Sequence, residues 1–357
     1  MEKKTILHVI DYLGRGGAET MLVKVLKELK EYHNIVVTVN EQNHFGDDFT
    51  CDEYHCLKMG SFRNFPLAVM RLRKFLKGRK VDAVHSHLLL STLVARLGVP
   101  KGIPLITTIH TNVAQSNDYR KWYLRFLEKF TYRFHKNIII GVSQSVLDGY
   151  FGFLKHKPYK TYLLYTFVDL KEFSGPGAQV REHAVPFRLI AVGALRFPKN
   201  QQYLVKAFQQ LDRDRFELHI YGTGVQEAEL RQMVDSFGVN VILKGEVKGI
   251  NQLLPQYDAY VMPSFFEGFS LSVLEAMAMR MPMLLSDIPT FREQCADTAL
   301  YFDLGNTNDF IGKLQQLAGD NGLRDRLGAA ARERAEANFS LEHHMAGLRK
   351  IYRENFG

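Results

Sequence analysis

A regular alternation of short apolar runs with longer amphipathic stretches constrains the fold of this chain more than any other feature of its sequence. The apolar runs are rich in β-branched residues and carry almost no charge, as strands buried on both faces do. The predicted strands are Thr5–Ile10, Asn34–Val39, Val81–His85, Leu105–Ile109, Asn137–Val142, Thr161–Leu164, Arg188–Val192, Glu217–Tyr221, Asn240–Leu243, Ala259–Met262, Pro282–Leu285 and Ala299–Phe302. The stretches between them, such as Glu19–Tyr32 and Gln201–Leu211, repeat apolar residues at helical spacing. Strands that alternate with helices predict α/β domains whose parallel sheets are covered by helices on both faces.

The stretch Lys171–Pro186 interrupts this alternation, because it is rich in glycine, proline and charged residues. We interpret it as a linker, residues 171–186, between an N-terminal domain of residues 1–170 and a C-terminal domain of residues 187–338. A length of 357 residues is typical of about two domains. Each domain is expected to be Rossmann-like, and the two are expected to face each other across a cleft. Residues 339–357 are predicted to form a C-terminal helix that can cross back to the N-terminal domain.

The chain carries a net charge of +8, which favours an anionic partner. Nucleic acid, acidic lipid headgroups and phosphorylated small molecules all fit this charge. Nucleic acid is not expected, because the sequence has neither a recognised nucleic-acid-binding module nor a dense basic patch.

The cysteines and the hydropathy pattern indicate a cytoplasmic protein. Cys51, Cys56 and Cys295 are too few for a disulfide framework and form no CxxC pair, which fits a reducing compartment. The N-terminal apolar run has the length of a buried strand and is too short for a signal peptide. The most apolar region, Leu271–Leu285, contains charged side chains, which excludes a transmembrane helix.

The segment from Asp258 to Met279, DAYVMPSFFEGFSLSVLEAMAM, contains the strongest candidate site. Its strand is followed by a loop with Glu267 and Gly268 and by a helix predicted to begin near Ser270. Glu275 lies about one turn into that helix, so both carboxylates can line one ligand site. The loop follows a strand, and doubly wound domains bind their ligands at the carboxyl ends of strands.

The start of this helix offers backbone amides to an anion. The loop glycine allows the backbone to approach a ligand closely. The N–H groups of Phe269, Ser270 and Leu271 are expected to point out of the helix N-terminus. An alternative is a capping box between Ser272 and Glu275, in which Glu275 only stabilises the helix start.

This segment is similar to the Glu-x7-Glu signature of the family 4 (group 1) glycosyltransferases, including the Asp-strand-Pro-Ser before it and the Ala-Met-Ala after it. In that family the first glutamate contacts hydroxyls of the transferred sugar, and the second holds the ribose of the nucleotide. The resemblance implies a catalytic role at the sugar for Glu267 and a donor-binding role for Glu275. It also implies contacts of Gly268–Leu271 with the diphosphate or the sugar. The fold implied is GT-B, and the reaction implied is transfer from a nucleotide sugar, in particular a UDP-sugar, with retention at the anomeric carbon.

A second segment, Leu189–Leu204, resembles the strand-GRLxxxKG segment of the family, whose arginine and lysine neutralise the donor diphosphate. Lys199 matches the lysine. Ala194 stands at the arginine position, and Arg196 is expected to replace that arginine, because a guanidinium can bind phosphate oxygens bidentately. A solvated loop charge is the alternative for Arg196. Fixed cations stabilise a departing nucleoside diphosphate without a metal ion, so neither a metal nor a cofactor is expected.

The loop Gly14–Glu19, GRGGAE, follows the first strand and opens a helix. Its glycine spacing does not meet the dinucleotide-binding fingerprint. It resembles the glycine-rich GGAE loop of the family, which faces the donor phosphate and the acceptor, and this implies donor contacts for Gly16 and Gly17. A plain tight turn explains the same glycines equally well.

Histidines end two predicted strands of the first domain. His85 and His87 share one face of a strand, an arrangement that can bind a metal ion. Neither a carboxylate nor a cysteine lies nearby in the sequence to complete such a site, so no metal site is predicted. His110 stands where the family places a histidine near the donor sugar, and the resemblance implies a catalytic role for it.

Two stretches combine basic residues with apolar and aromatic ones: Phe65–Lys80 and Tyr119–Lys136, the second with the only tryptophan, Trp122. Basic residues beside an aromatic face suit a helix at an anionic membrane surface. This predicts peripheral contact with the inner face of the cytoplasmic membrane. The alternative is a helix that buries its apolar face in the core and exposes its charges.

The resemblance and these helices together imply a retaining, metal-independent enzyme of the hexosyltransferase type. Its acceptor is expected to be a hydroxyl of a glycan or lipid-linked molecule in bacterial cell-surface polysaccharide or lipopolysaccharide biosynthesis. A soluble small-molecule acceptor is the alternative within the same chemistry. Because Ala194 stands in place of the family arginine, a non-catalytic relative that only binds sugar nucleotides is a further alternative. An epimerase or an inverting transferase is disfavoured by the glutamate pair.

Overall fold

The computed structural model describes residues 3–14, 16–112, 121–174 and 185–356, apart from the side chain of Asp47. The chain divides into two compact units, Met1–Thr166 with Glu342–Gly357 and Phe167–Leu341. The central part of the predicted linker, residues 175–184, lies outside the described residues, and so does Tyr119 of the predicted basic helix. Each unit is an α/β domain built on a parallel sheet.

In the first unit, short apolar runs form the strands and amphipathic stretches form the helices between them. The strands are β1 (Thr5–Ile10), β2 (His33–Thr38), β3 (Glu53–Cys56), β4 (Ala83–His87), β5 (Leu105–Ile109), β6 (Asn137–Gly141) and β7 (Lys160–Leu163). The helices are α1 (Gly17–Glu28), α2 (Phe65–Leu76), α3 (Leu89–Gly98), α4 (Trp122–Thr131) and α5 (Gln144–Leu154). Every residue of β4, β5 and β6 is buried, as expected of central strands covered on both faces.

The strands of this sheet pair in parallel, in the order β3-β2-β1-β4-β5-β6-β7. This is the strand order of a doubly wound, Rossmann-like sheet, in which the order reverses between β1 and β4. At this switch point His8 of β1 lies beside His85 of β4, and Ile10 lies beside His87. Doubly wound sheets bind ligands at the carboxyl ends of the strands next to the switch point.

The second unit repeats this plan. Its strands are β8 (Phe187–Val192), β9 (Phe216–Tyr221), β10 (Val241–Gly245), β11 (Ala259–Met262), β12 (Met283–Ser286) and β13 (Leu300–Phe302). Its helices are α6 (Gln201–Ala207), α7 (Glu227–Phe237), α8 (Ile250–Leu253), α9 (Leu271–Ala278), α10 (Pro289–Cys295), α11 (Thr307–Gly319) and α12 (Asn321–Asn338). The parallel strands follow the order β10-β9-β8-β11-β12-β13, so the switch point of this sheet lies between β8 and β11.

The predicted α/β architecture with two Rossmann-like domains is confirmed, and each predicted strand forms within a few residues of its expected place. β4, for example, is predicted at Val81–His85 and observed at Ala83–His87. The sequence analysis does not predict β3. This short edge strand alternates charged, aromatic and polar residues, so it lacks the apolar run that marks the other strands.

The last helix, α13 (Leu341–Asn355), belongs to the first unit from Glu342 onward. The hydroxyl of Tyr352 and Nδ1 of His85 form a hydrogen bond of 2.7 Å. Nδ1 of His344 donates to the carbonyl oxygen of Tyr165, also at 2.7 Å. The helix therefore covers the face of the sheet on which His85 lies.

Candidate functional site

The loops after β8 and β11 meet, because these two strands are neighbours at the switch point of the second unit. Lys199 ends a short 3-10 turn after β8, and Glu267 lies in the loop after β11. Nζ of Lys199 donates to Oε1 of Glu267 at 2.7 Å, and the two side chains are 12% and 11% exposed. The structure therefore joins two sequence-predicted site residues in one largely enclosed ion pair.

The carboxylate of Glu267 is held from several sides. Oγ of Ser264 donates to the same Oε1 at 2.7 Å, and Oγ1 of Thr290 donates to the backbone carbonyl of Glu267 at 3.0 Å. Ser286 in turn donates to the carbonyl of Ser264 at 2.6 Å. This network fixes the loop, so a ligand that binds here meets a preorganised carboxylate.

Glu275 lies on α9, whose N-cap is Ser270. The capping box between Ser272 and Glu275 is therefore wrong, because Ser272 lies inside the helix and its hydroxyl accepts a hydrogen bond from Tyr260 at 2.8 Å. Burial raises the pKa of Tyr260 well above its ordinary value, and the negative charges of Glu275 and Glu267 raise it further. The charges of both carboxylates therefore influence the same buried phenol.

The amides at the start of α9 are only partly available to an anion. The N–H of Ser270 donates to Oε1 of Gln294 at 3.2 Å, and Nε2 of Gln294 donates back to the carbonyl of Ser270 at 2.9 Å. The prediction of a free amide is therefore wrong at Ser270. Leu271 begins the helix, so its N–H has no partner within the helix. The ring of Phe269 is buried against Phe339, with the ring centroids 5.2 Å apart, so only its backbone can face a ligand.

Arg196 and Ala194 are both exposed on the loop after β8. The carbonyl oxygen of Arg196 accepts the N–H of Lys199 at 3.0 Å, so the arginine opens the turn that carries the lysine. The structure thus places Arg196 on the same turn as the ion pair, with its side chain in solvent.

Sequence reasoning missed the loop after β9, YGTG at Tyr221–Gly224. Gly222 has a φ of +138°, and a Cβ atom there would collide with the carbonyl oxygen of Gly193. The N–H of Leu195 donates to the carbonyl of Thr223 at 2.9 Å. This close backbone packing supports the turn that carries Lys199. The signal was present in the sequence as two glycines directly after a strand.

In the first unit, Gly16 is the N-cap of α1 and Gly17 is its first residue. A side chain at Gly16 would collide with the carboxylate of Glu19, which is buried in the first turn of the helix. Helix packing thus explains the glycine at position 16, and ligand contacts of Gly16 and Gly17 remain a prediction. Arg15 of this loop lies outside the described residues.

His110 follows β5, and its Nε2 lies 3.3 Å from Nδ1 of His87. His110 is partly exposed, yet the loss of water around its ring lowers its pKa to about 4, and the nearby His344 lowers it further. The imidazole is therefore neutral at pH 7. His87 belongs with His8 and His85 to a buried group in which one ring nitrogen from each residue lies within 4.8 Å of the others, close enough for a shared metal ion.

Helix α4 exposes the aromatic residues that the core-burial alternative would bury. Trp122, Phe126 and Phe130 follow one another at helical spacing and are 76%, 60% and 49% exposed. Arg125 and Lys129 are exposed on the same helix. The buried residues of α4 are Leu124, Glu128 and Thr131. The core-burial alternative is therefore wrong for these three rings. Within the residues that the structure describes, no helix is both long and apolar enough to span a membrane.

Comparisons with known proteins agree with this architecture. The structure is similar to that of Anabaena Alr3699/HepE in complex with UDP and glucose, with a TM-score of 0.82 and 15% identity over 98% of this chain and 99% of that chain. At this identity the likeness concerns the fold, and it confirms the predicted GT-B class.

Two curated relatives extend over most of the sequence. A Campylobacter jejuni protein, N-acetylgalactosamine-N,N'-diacetylbacillosaminyl-diphospho-undecaprenol 4-alpha-N-acetylgalactosaminyltransferase, is 24% identical over 91% of this chain and 93% of its own length. The O-antigen biosynthesis glycosyltransferase WclY of Escherichia coli is 23% identical over 86% of each chain.

Two family models divide the chain between them. The model described as Glycosyltransferase Family 4 matches residues 15–172, and the model described as Glycosyl transferases group 1 matches residues 186–320. Together they span both units and include Lys199, Glu267 and Glu275. The chain therefore belongs to the group 1, or family 4, glycosyltransferases.

Proposed function

We propose that this glycosyltransferase moves a sugar from a UDP-sugar to a hydroxyl of a glycan or lipid-linked acceptor in cell-surface polysaccharide biosynthesis. The transfer retains the configuration at the anomeric carbon and uses no metal ion. The observation that carries this proposal is the Lys199–Glu267 ion pair at the switch point of the second unit.

The ion pair supplies the two kinds of group that a sugar donor requires. Departure of the sugar leaves a second negative charge on the terminal phosphate of the diphosphate, and the ammonium group of Lys199 stabilises that charge. Arg196, exposed on the same turn, adds a second cation. Glu267, fixed by Ser264 and Thr290, accepts hydrogen bonds from hydroxyls of the transferred sugar. In this assignment Glu275 binds the ribose.

Proteins similar to this chain support the proposed donor and acceptor. UDP is favoured as the nucleotide, because a solved structure of the same fold is a complex with UDP and glucose. A lipid-linked acceptor is favoured, because the C. jejuni relative is named for a diphospho-undecaprenol-linked saccharide. His110 is assigned to catalysis by resemblance alone, and its neutral imidazole can donate or accept a hydrogen bond at the sugar.

Contact with an anionic membrane fits the surface of α4. Three exposed aromatic rings, Trp122, Phe126 and Phe130, lie on the same helix as the basic residues Arg125 and Lys129. Aromatic and basic side chains together favour the interface of a membrane with acidic headgroups. A lipid-linked acceptor is found at such a surface.

A panel of UDP-sugars tests the proposed reaction. Thermal shift identifies the donor, and NMR of the product of transfer to a lipid-linked or a soluble glycan identifies its anomeric configuration. We expect one UDP-sugar to raise the melting temperature, an anomer that matches the donor, and loss of both signals in Glu275→Ala. Glu229→Ala, which removes an exposed glutamate of α7, should behave like the wild type.

An inverted anomer would contradict the retaining reaction. Neither binding nor turnover with any nucleotide sugar would favour the non-catalytic alternative that Ala194 suggests. Transfer to the soluble glycan alone would contradict the lipid-linked acceptor.

Tryptophan fluorescence tests the membrane contact, because Trp122 is the only tryptophan. Vesicles that contain phosphatidylglycerol should shift its emission to the blue, whereas phosphatidylcholine vesicles should not. Phe126→Ser should weaken vesicle binding about tenfold, since interfacial burial of a ring contributes on the order of 1–2 kcal/mol. Val225→Ser, at an exposed apolar residue of the second unit, is the control. An emission spectrum unchanged by anionic vesicles would refute the contact.

A further inference from the structure

Three buried histidines, His8 of β1 and His85 and His87 of β4, form what we call the histidine cluster. Strand register places His8 beside His85, and His85 and His87 point to the same face because they alternate along β4. The rings of His85 and His87 lie 4.1 Å apart, and that of His8 lies 5.9 Å from His85 and 6.2 Å from His87, between ring centroids. Chain folding thus adds a third imidazole to the pair that the sequence suggested.

The protonation of His8 follows from its partner. Nδ2 of Asn34 donates to the carbonyls of Leu29 and Tyr32 at 2.8 and 3.3 Å, so Oδ1 of Asn34 can only accept. Nε2 of His8 lies 3.3 Å from this oxygen and must carry the proton of the neutral ring. Nδ1 of His8 then presents a lone pair, and this buried atom has no hydrogen-bond partner among the described residues.

His87 is oriented in the same manner. Its Nδ1 lies 3.3 Å from Nε2 of His110, and its Nε2 is buried with no hydrogen-bond partner among the described residues. If Nε2 binds a metal ion, Nδ1 carries the proton and can donate it to His110. Metal-binding histidines almost always donate their second N–H to a neighbouring acceptor in this way, as Asn34 allows for His8.

His85 is the third candidate ligand, and both of its ring nitrogens face hydroxyl groups. Nδ1 lies 2.7 Å from the Tyr352 hydroxyl, and Nε2 lies 2.7 Å from Oγ1 of Thr108. A hydroxyl can either donate or accept, so one of these groups can hold the N–H while the other releases its nitrogen to a metal ion. Binding through His85 therefore costs one hydrogen bond.

The cluster borders a cavity of about 30 Å³, enclosed by α1, α13 and the sheet. That volume accommodates a metal ion with one water molecule. Burial lowers the pKa of His8 to about 4 and holds the pKa values of His85 and His87 well below the ordinary value.

We propose that the histidine cluster binds one divalent transition-metal ion of the zinc class through His8, His85 and His87. Three imidazoles with an open fourth position are a known zinc arrangement, and a water molecule in the cavity would complete the tetrahedron. One ring nitrogen from each of the three histidines lies within 4.8 Å of the corresponding nitrogen of the other two. Zn–N bonds of about 2.0–2.1 Å require a separation of roughly 3.4 Å, so metal binding must draw the rings closer together by up to about 1.4 Å. The site adjoins His110, which lines the same cavity and contacts His87, but its existence does not depend on the proposed reaction.

Cobalt and zinc binding to the full-length protein, first stripped with a chelator, tests this site. We expect Co²⁺ to bind with one equivalent per chain, to give the intense visible absorption bands of a four-coordinate ion, and to be displaced by Zn²⁺. Excess Zn²⁺ should also raise the melting temperature, because it binds the folded chain. These measurements need no variant. Weak six-coordinate bands together with an unchanged melting temperature would overturn the proposal and leave a cavity that holds water only.

Substitutions assign the ligands. His8→Gln and His87→Gln should each weaken Co²⁺ binding by more than about 100-fold, which exceeds the effect of losing an outer hydrogen bond to a ligand. His156→Gln, at an exposed histidine of the same unit, should leave binding unchanged. Equal binding by all three folded variants would place the metal elsewhere and overturn the assignment.

Discussion

The two switch points of this chain have the same topology and opposite chemistry. Between β8 and β11 the strand ends carry an ion pair, Lys199 with Glu267, that is slightly open to solvent. Between β1 and β4 the strands carry uncharged imidazoles of His8, His85 and His87, which are buried, with 0%, 3% and 6% exposure. Both sheets have the strand order of a Rossmann-like fold.

The difference shows how one backbone plan supports two kinds of site. A parallel sheet brings two strand ends together wherever the strand order reverses, and the residue types there decide the chemistry. Paired charges at the opening favour an anionic, hydroxyl-rich ligand, which needs both signs of charge. Neutral nitrogens inside the sheet favour a cation that is small and prefers nitrogen.

The largest expected effect concerns the charged switch point. Lys199→Met removes the cation proposed to stabilise the leaving diphosphate and also releases the carboxylate of Glu267. We expect kcat to fall about 10²–10³-fold, as when a preorganised group at a developing charge is lost. Steady-state transfer rates with the identified donor measure this effect. Lys206→Met, at an exposed lysine of α6, is the matched control. A loss below tenfold would show that Lys199 serves only the fold.

The next effect tests whether backbone packing supports the charged site. Gly222→Ala places a Cβ against the carbonyl of Gly193 at a φ of +138°. Strain and collision together should lower the free energy of unfolding by about 2–4 kcal/mol, as measured by urea denaturation. Gly238→Ala also has positive φ, but its Cβ would meet only the end of the Arg213 side chain, at 3.8 Å, and the substitution should cost about 1–2 kcal/mol. Equal losses of unfolding free energy at the two positions would show that the loop after β9 does not support the turn that carries Lys199.

The same comparison shows what the sequence alone can predict. Periodicity and β-branched runs located the central strands, because buried parallel strands must be apolar along their whole length. Edge strand β3 was not predicted, because its half-exposed sequence carries no such apolar run. Resemblance to family motifs identified Lys199 and Glu267. It did not predict their contact, because 68 residues separate them and only the pairing of β8 with β11 brings them together.

The histidine cluster was out of reach of sequence reasoning for the same physical reason. His85 and His87 share a strand, and their common face can be read from their spacing. His8 joins them only through the register of β1 with β4, which a single sequence does not encode locally. Likewise, the Ser270 amide looked free at a helix start, yet Gln294 from α10 occupies it. Long-range contacts decided both outcomes.

The smallest expected effect concerns His344, which lines the cavity beside the histidine cluster. It tests whether the histidines of the first unit are uncharged in the folded protein. Burial lowers its pKa from 6.5 to about 4, the hydrogen bond to Tyr165 opposes this, and His343 adds to it. The unfolded chain therefore binds one more proton than the folded chain between these values. The resulting stability is fully present above pH 6.5 and is lost as the pH falls towards 4.

In metal-free buffer with chelator, the wild type should lose about 2 kcal/mol of unfolding free energy between pH 7 and pH 5 through His344. His344→Asn keeps a hydrogen-bond donor near the Tyr165 carbonyl and removes the titrating ring. The unfolding free energy of this variant should therefore fall by about 2 kcal/mol less than that of the wild type between pH 7 and pH 5. Urea denaturation at the two pH values measures the difference. The exposed neighbour His343→Asn should retain the wild-type pH dependence. If His344→Asn also retains the wild-type pH dependence, the ring of His344 is already charged in the folded protein. The contrast between a charged and an uncharged switch point then does not extend to α13.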